Sequence, residues 1–265
     1  MNATTALDMS HKRSTSVAMP AGRLFRAYVM EAKFETIRML RMLGFAVPFL
    51  VLPFALYLFV GLFLGKEGGN ARIVDQLFAG ISAFGVMGPG MFGFGIAIAL
   101  ERDQGVLALK RALPMPPAAY LFGKMFMAML FATIVMITLV IAGTLSHAPI
   151  TAWQYLSMSI VNVLASLPFC AIGMFVGVFT SGKSAPAFVN LLYVPMFSIG
   201  ELWYEMPKSI SWLPPFSPAY HLKKLSLWAA SAPSGNDGAL IHIAVLAALT
   251  LLCSFVAIRR LTRVG

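Results

Sequence analysis

Six uninterrupted apolar stretches dominate this 265-residue chain, at residues 44–64, 77–100, 121–142, 156–179, 186–200 and 239–258. A helix needs about 20 apolar residues to cross the roughly 30 Å hydrocarbon core of a bilayer. The stretch at 186–200 is the short one, and it carries Pro195. Within a bilayer every backbone N–H and C=O must be satisfied by the protein itself, which leaves helices or closed barrels. Barrel strands alternate apolar and polar residues over about ten positions, whereas these stretches are continuously apolar. The expected fold class is therefore all-α and integral to the membrane, with six transmembrane helices. Composition agrees: 59% of residues are hydrophobic and 11% charged, against about 45–50% and about 25% in soluble domains. A soluble enzyme, a disulfide scaffold and a disordered chain are all poor fits.

The 20 Lys and Arg residues outnumber Asp and Glu by ten, for a net charge of +10. In a membrane protein this excess is first a signal of orientation, because short cytoplasmic loops retain Lys and Arg. Fifteen of the 20 fall in the N-terminal region, the 101–124 loop, the turn at Lys183 and the tail from Arg259. Both termini are expected in the cytoplasm. The Trp-, Tyr- and Pro-rich segment 201–238 is then external. Residues 1–22 read as a flexible cytoplasmic tail, and 23–265 as a single transmembrane domain. No nucleic-acid partner is expected; the cations suit anionic lipid headgroups.

Residues 23–43 read as an amphipathic helix lying at the membrane surface. At 100° per residue, Phe25, Tyr28, Val29, Ala32, Met39, Leu40 and Leu43 share one side. Arg23, Arg26, Glu31, Lys33, Glu35, Arg38 and Arg41 share the other, and Phe34 and Ile37 break the pattern.

Sites for chemistry are scarce. Cys170 and Cys253 sit in apolar stretches, and His11, His147, His221 and His242 form no metal-binding spacing. No Asp, Glu, Lys or Arg falls near the middle of a span; Lys124 and His242 lie near span ends, and Asp75 in an external loop. Residues Gly177 to Ser184 match the phosphate-loop pattern GxxxxGK[ST]. That motif works only between a strand and a helix of an α/β sheet, and here an apolar span precedes it. Nucleotide binding, metal, cofactor and catalysis are not expected in this chain. Six glycines and Pro89 crowd the second span, which suits close helix packing or a mobile element.

The loop after the second span begins Glu101, Arg102, Asp103, Gln104 and Gly105, runs through Leu107, Leu109, Lys110, Arg111 and Leu113, and stops at Pro114, Pro116 and Pro117. It is a compact charged segment whose leucines suggest an apolar docking face. Glu101, Arg102, Gly105, Leu109, Pro114 and Lys124 here resemble the signature between the second and third spans of permease subunits of type-two ATP-binding-cassette exporters. Asp103 stands where that family often has Glu, and Val106 where it often has Thr. The order of features from residue 24 to 260 is similar too. The resemblance implies a bacterial plasma (inner) membrane permease that pairs with a second permease subunit, alike or different, and with separate ATPase subunits that bind ATP. Segment 101–117 would be the coupling helix. Alternatives are a non-transporting anchor or sensor subunit, or a lipid-processing membrane enzyme. Aromatic and Met-rich spans suit an amphipathic cargo more than a small hydrophilic one.

Overall fold

The computed structural model describes residues 20–66, 71–112, 116–231 and 238–264. Most of the expected tail, together with Leu113, Pro114 and the side chain of Arg111, lies outside the described residues. Among the described residues every regular element is helical: α1 Ala21–Arg41, α2 Leu43–Lys66, α3 Ala71–Gly88, a π-helical turn Pro89–Phe94, α4 Gly95–Asp103, α5 Val106–Ala112, α6 Pro117–Leu145, α7 Ala152–Leu164, α8 Ser166–Phe179, α9 Ala185–Ile199, α10 Pro218–Ala229 and α11 Ala239–Val264. Among the described residues, five stretches are long and apolar enough to cross a membrane: Leu43–Gly61, Ile73–Asp103, Ala118–Leu145, Ala152–Phe179 and Ala239–Leu261. The sixth apolar helix, α9, has 15 residues, roughly 22 Å at 1.5 Å per residue. The protein is an all-α, multi-pass membrane protein.

Proline sets the internal breaks. Pro89 has no N–H to offer the carbonyl of Gly85, and the helix widens there into the π turn before resuming as α4. Pro168 likewise cannot bond the carbonyl of Leu164; α7 ends at Leu164 and α8 restarts after Ala165. The second and fourth spans thus each consist of two helical pieces joined at a fixed place.

The second span is the centre of the bundle. Phe78, Ile81, Val86, Met87, Met91, Phe94 and Ile98 are fully buried along it, while α2 and α11 present broad apolar faces outward, including Val47, Val51, Phe59, Leu240, Leu251 and Phe255. Such exposed apolar area on all sides is what a hydrocarbon surrounding permits. The second span meets α8 at backbone contact. A Cβ on Gly177 would lie 2.3 Å from the carbonyl oxygen of Gly95, and one on Gly95 would lie 2.7 Å from that of Gly173. Small residues permit this approach where any side chain would part the helices.

Segment 201–238 does not simply lie over the surface. α10 inserts Ala219, His221, Leu222, Lys223, Leu225, Ser226 and Leu227 into the bundle, against α3, α7 and α11. Buried Asn162 of α7 donates to the Ser226 hydroxyl at 2.8 Å. Lys223 donates to the backbone carbonyl of Glu201; burial pushes its ammonium down to about 8, against the opposing pull of Glu201 and Glu205. The four histidines, scattered in sequence, include one close pair: His221 and His242 bring their Nδ1 atoms to 2.8 Å and join α10 to α11.

The glycine contact gives a direct expectation. Gly177→Ala pushes a methyl group into a backbone carbonyl that cannot rotate away, and should cost about 1–3 kcal/mol, read as a lower melting temperature of the purified protein. Lys183→Ala, in the same apparent phosphate-loop match, should leave the melt unchanged.

Candidate functional site

Three consecutive residues at the end of α4 each hold a different neighbour. Glu101, 2% exposed, reaches α1 and α6. Its Oε1 lies 2.5 Å from Arg38 Nη1 and 3.1 Å from Lys124 Nζ, and its Oε2 accepts from the Tyr120 hydroxyl at 2.6 Å. Arg102 turns the opposite way and donates to the carbonyls of Val178 and Thr180, both at 2.6 Å. These lie at the C-terminal end of α8, where helix carbonyls lack intrahelical donors and a cation is favoured. Asp103 accepts the backbone N–H of Gly182 at 2.7 Å. α1, α6, α8 and the turn leading to α9 therefore converge on Glu101, Arg102 and Asp103.

Lys124 is the centre of the ionic half. Its ammonium is fully buried on an otherwise apolar helix and pairs with Glu35 of α1 at 2.5 Å as well as with Glu101. Arg38 lies 3.7 Å from Glu35. Two carboxylates and two cations balance, and the Tyr120 hydroxyl occupies a further carboxylate oxygen. That matters because removing one member of a buried pair leaves an uncompensated charge, at about 3–5 kcal/mol. Burial works against the charged form of Arg38, but Glu35 and then Glu101 outweigh it and hold the guanidinium above its usual value.

The α1 face seen here differs from the periodic expectation. The packed stripe is Tyr28, Glu31, Ala32, Glu35, Thr36 and Met39, so two glutamates assigned to the polar side point into the protein. The reason lies in the partner: α6 and α5 supply Lys124 to Glu35 and Lys110 to Glu31. Gly123 permits the approach, since a Cβ there would lie 2.9 Å from the Glu31 side chain. Tyr28 packs edge-on against Phe122, 5.4 Å between centroids. Phe25, on the expected apolar side, is exposed, as are Arg23, Arg26, Arg38 and Arg41.

Gly105 adopts φ +72° just after α4 and its N–H returns to the carbonyl of Arg102 at 3.1 Å. That left-handed turn redirects the chain into α5. Within α5 the two described leucines do not share a face: two residues apart on a helix they project about 200° from each other. Leu107 packs on the cluster of Phe94, Ile98, Tyr120 and Val178. Leu109 is 65% exposed. Lys110 pairs with Glu31 and sits 4.6 Å above the Tyr120 ring. Of the residues singled out from sequence, Glu101, Arg102, Lys110, Lys124 and Arg38 thus meet around one junction, with Gly105 forming its turn and Leu109 facing outward. Glu31, Glu35 and Tyr120 are the members that sequence reasoning missed. The available signal was Lys124 itself, a cation two turns into an apolar helix, which demands a buried anion.

The phosphate-loop match receives a structural explanation. Gly177 is the contact point with Gly95, and Gly182 presents its N–H to Asp103 and its Cα to Leu100. Both glycines are occupied by packing on α4, between two helices rather than after a strand. Among the described residues no three His, Cys, Asp or Glu side chains gather as a metal site.

With this geometry in hand, comparison with known proteins is specific. Residues 28–230 match the model of the ABC-2 type transporter family, and the chain belongs to that family. It is similar to a putative transport permease, YvfS, of Bacillus subtilis (strain 168), at 23% identity over 192 residues, covering 71% of this chain and 78% of the relative. The chain is a membrane permease of the family, and its multi-pass helical build is consistent with an inner-membrane location. Family membership implies association with ATP-binding-cassette ATPase subunits.

The junction generates a double-mutant expectation. Lys124→Met should destabilise the protein by about 3–5 kcal/mol, because it strands Glu35 and Glu101. Lys124→Met combined with Glu35→Gln should recover a large part of that loss, leaving Glu101 with Arg38 and Tyr120. Denaturation of the four variants of the cycle measures the coupling; additive effects would show that the two groups do not interact.

Proposed function

We propose that this chain is the permease subunit of an ATP-driven exporter, that it forms the cargo pathway with a second permease subunit, and that segment 101–117 couples it to a separate ATPase. The observation that carries this reading is the three-way junction of Glu101, Arg102 and Asp103. A short helix, α5, leaves that junction through the Gly105 turn with Leu109 exposed and Lys110 tied back to α1. A force applied to α5 is therefore delivered at once to α1, α6 and α8. Such transmission needs a two-state element that ATP biases through different contacts in its two states. The Pro-defined breaks at the π turn and at Ala165 are suitable pivots within the second and fourth spans.

In this reading six helices cross the membrane, α9 among them, and both termini lie in the cytoplasm. α1, with Arg23, Arg26 and Arg41 exposed beside Phe25, lies along the inner surface as an interfacial helix. The ends of α4, α8 and α11 and the start of α6 face the cytoplasm, and α10 faces outward. The glycines of α8 and the second span maintain a tight contact along which movement at Glu101 travels toward the outer side. Whether the second permease subunit is a copy of this chain or a related one, each contributes one such junction.

The test is purification of the tagged chain from its native membrane in mild detergent, with mass spectrometry of what accompanies it. A stoichiometric soluble ATPase is expected with the wild type. It should be lost in Leu109→Asp, which alters only the outward face of α5, while the variant's melting temperature stays unchanged. A chain that purifies without an ATPase across several detergents would overturn the coupling role.

A further inference from the structure

A second set of polar groups is buried at the opposite end of the bundle, where α2, α3, α6 and α7 meet, and the junction described above does not use it. Asp75, in the second turn of α3, is 6% exposed. Among the described residues no donor reaches its Oδ1. Two phenols flank it. Phe78, one turn further along α3, is packed edge-on between the rings of Tyr57 and Tyr155, with centroids 5.3 Å and 5.1 Å away. Asp75 therefore shares this end of α3 with both phenols, one helical turn from the ring they enclose. The Tyr57 ring and Ser146 Oγ meet beside Gly61, and Ser146 donates to the carbonyl of Gly143 at 3.1 Å. The Tyr155 hydroxyl, on a residue 7% exposed, likewise has no hydrogen-bond partner among the described residues.

The space around these oxygens is made by glycine. A Cβ on Gly143 would stand 2.2 Å from the Tyr155 hydroxyl, and one on Gly61 would stand 3.0 Å from Ser146 Oγ. Alanine at Gly143 would fill the place that the orphaned hydroxyl takes. Among the described residues, the polar side chains gathered at this end are a carboxylate from α3, phenols from α2 and α7, and a hydroxyl from α6. Two charged groups on the neighbouring segment are engaged elsewhere. Lys223 of α10 donates to the backbone of Glu201, and Glu205 accepts from Gln76 at 3.1 Å.

An isolated carboxylate taken out of water must bind a cation or take up a proton, because its desolvation is otherwise prohibitive. We infer that Asp75, with the hydroxyls of Tyr155, Tyr57 and Ser146, forms a binding site for a small hard cation, a proton or an alkali ion such as Na⁺. In the proton form the carboxylate takes one proton from water and becomes a neutral acid able to donate to a phenol oxygen. In the alkali form the single negative charge and several neutral oxygens suit a monovalent ion. Either ligand supplies the missing partner of Asp75 and ties the outer ends of four helices together. The site has no contact with the Glu101 junction, so it stands or falls independently of the coupling reading.

The test uses the full-length purified chain in lipid–detergent micelles. Thermal melts are recorded in sodium chloride against choline chloride at about pH 8, and in choline chloride from about pH 8 to about pH 5. Wild type should gain roughly 2–4 °C with Na⁺ if the ligand is the alkali ion, or on acidification if it is the proton. Asp75→Asn should lose whichever dependence the wild type shows. A second measurement keeps the test open if that variant fails to fold. Dicyclohexylcarbodiimide, which modifies buried protonated carboxyls, should label Asp75 of the wild type, with Na⁺ slowing the labelling only if the alkali ion binds. Wild-type melts indifferent to both cations with Asp75 unlabelled throughout, or an Asn variant that keeps the wild-type dependence, would overturn the site.

Discussion

The structure depends on a buried lysine and two buried carboxylates brought together from three helices. Lys124 lies two turns from the start of an apolar helix and is fully buried there. It is tolerable only because Glu35 and Glu101 arrive from two other helices, with Arg38 and Tyr120 completing the set. A buried ion pair is weak evidence for net stability, since an apolar replacement of both partners is often as stable. Its cost when broken is high, which makes it a strong device for specifying one arrangement. Here it fixes the crossing of α1 over α6 at Gly123 and the register of α4 against both.

The same segment also fixes α8 by a different physical means. Arg102 gives its guanidinium protons to carbonyls that the end of a helix leaves without donors, and Asp103 takes an amide from the following turn. A lysine at position 102 would offer one point charge in place of a planar fork and could not serve two carbonyls in the same way. Ionic pairing on one side and helix capping on the other give a tripeptide hold on three helices. The glycine seam of Gly95, Gly173 and Gly177 then carries the contact deeper into the bundle.

Much of this was legible in the sequence, and the exceptions have physical causes. Long apolar runs identify helices in lipid because nothing else satisfies their backbones, and Pro195 in a short run marked α9 correctly as the odd one. Periodicity failed on α1 because it sorts residues by polarity, whereas this helix packs against a protein surface that supplies its own cations; Glu31 and Glu35 face inward for that reason. Leu107 and Leu109 looked alike in composition, yet their spacing on a helix sends one to the core and the other to the exterior. Asp75 was assigned to an external loop because a charge ends an apolar run, although α3 begins four residues earlier and buries it. His221 and His242 are 21 residues apart and meet only because α10 folds back on α11, a contact that no local spacing encodes.

If Glu101, Arg102 and Asp103 transmit force, then α1, α5 and the end of α8 move as one body when the ATPase closes. The direct measurement is a pair of spin-label distances in the assembled complex, nucleotide-free and trapped with ATP. One pair joins Phe25 of α1 to the exposed Ala108 of α5, away from the docking Leu109, and the other joins Ala108 to Leu240 at the far end of α11. The account predicts that the first distance stays constant while the second changes. A change in the first distance with the second fixed would mean that α5 moves without its neighbours, and would contradict the junction as the coupling element.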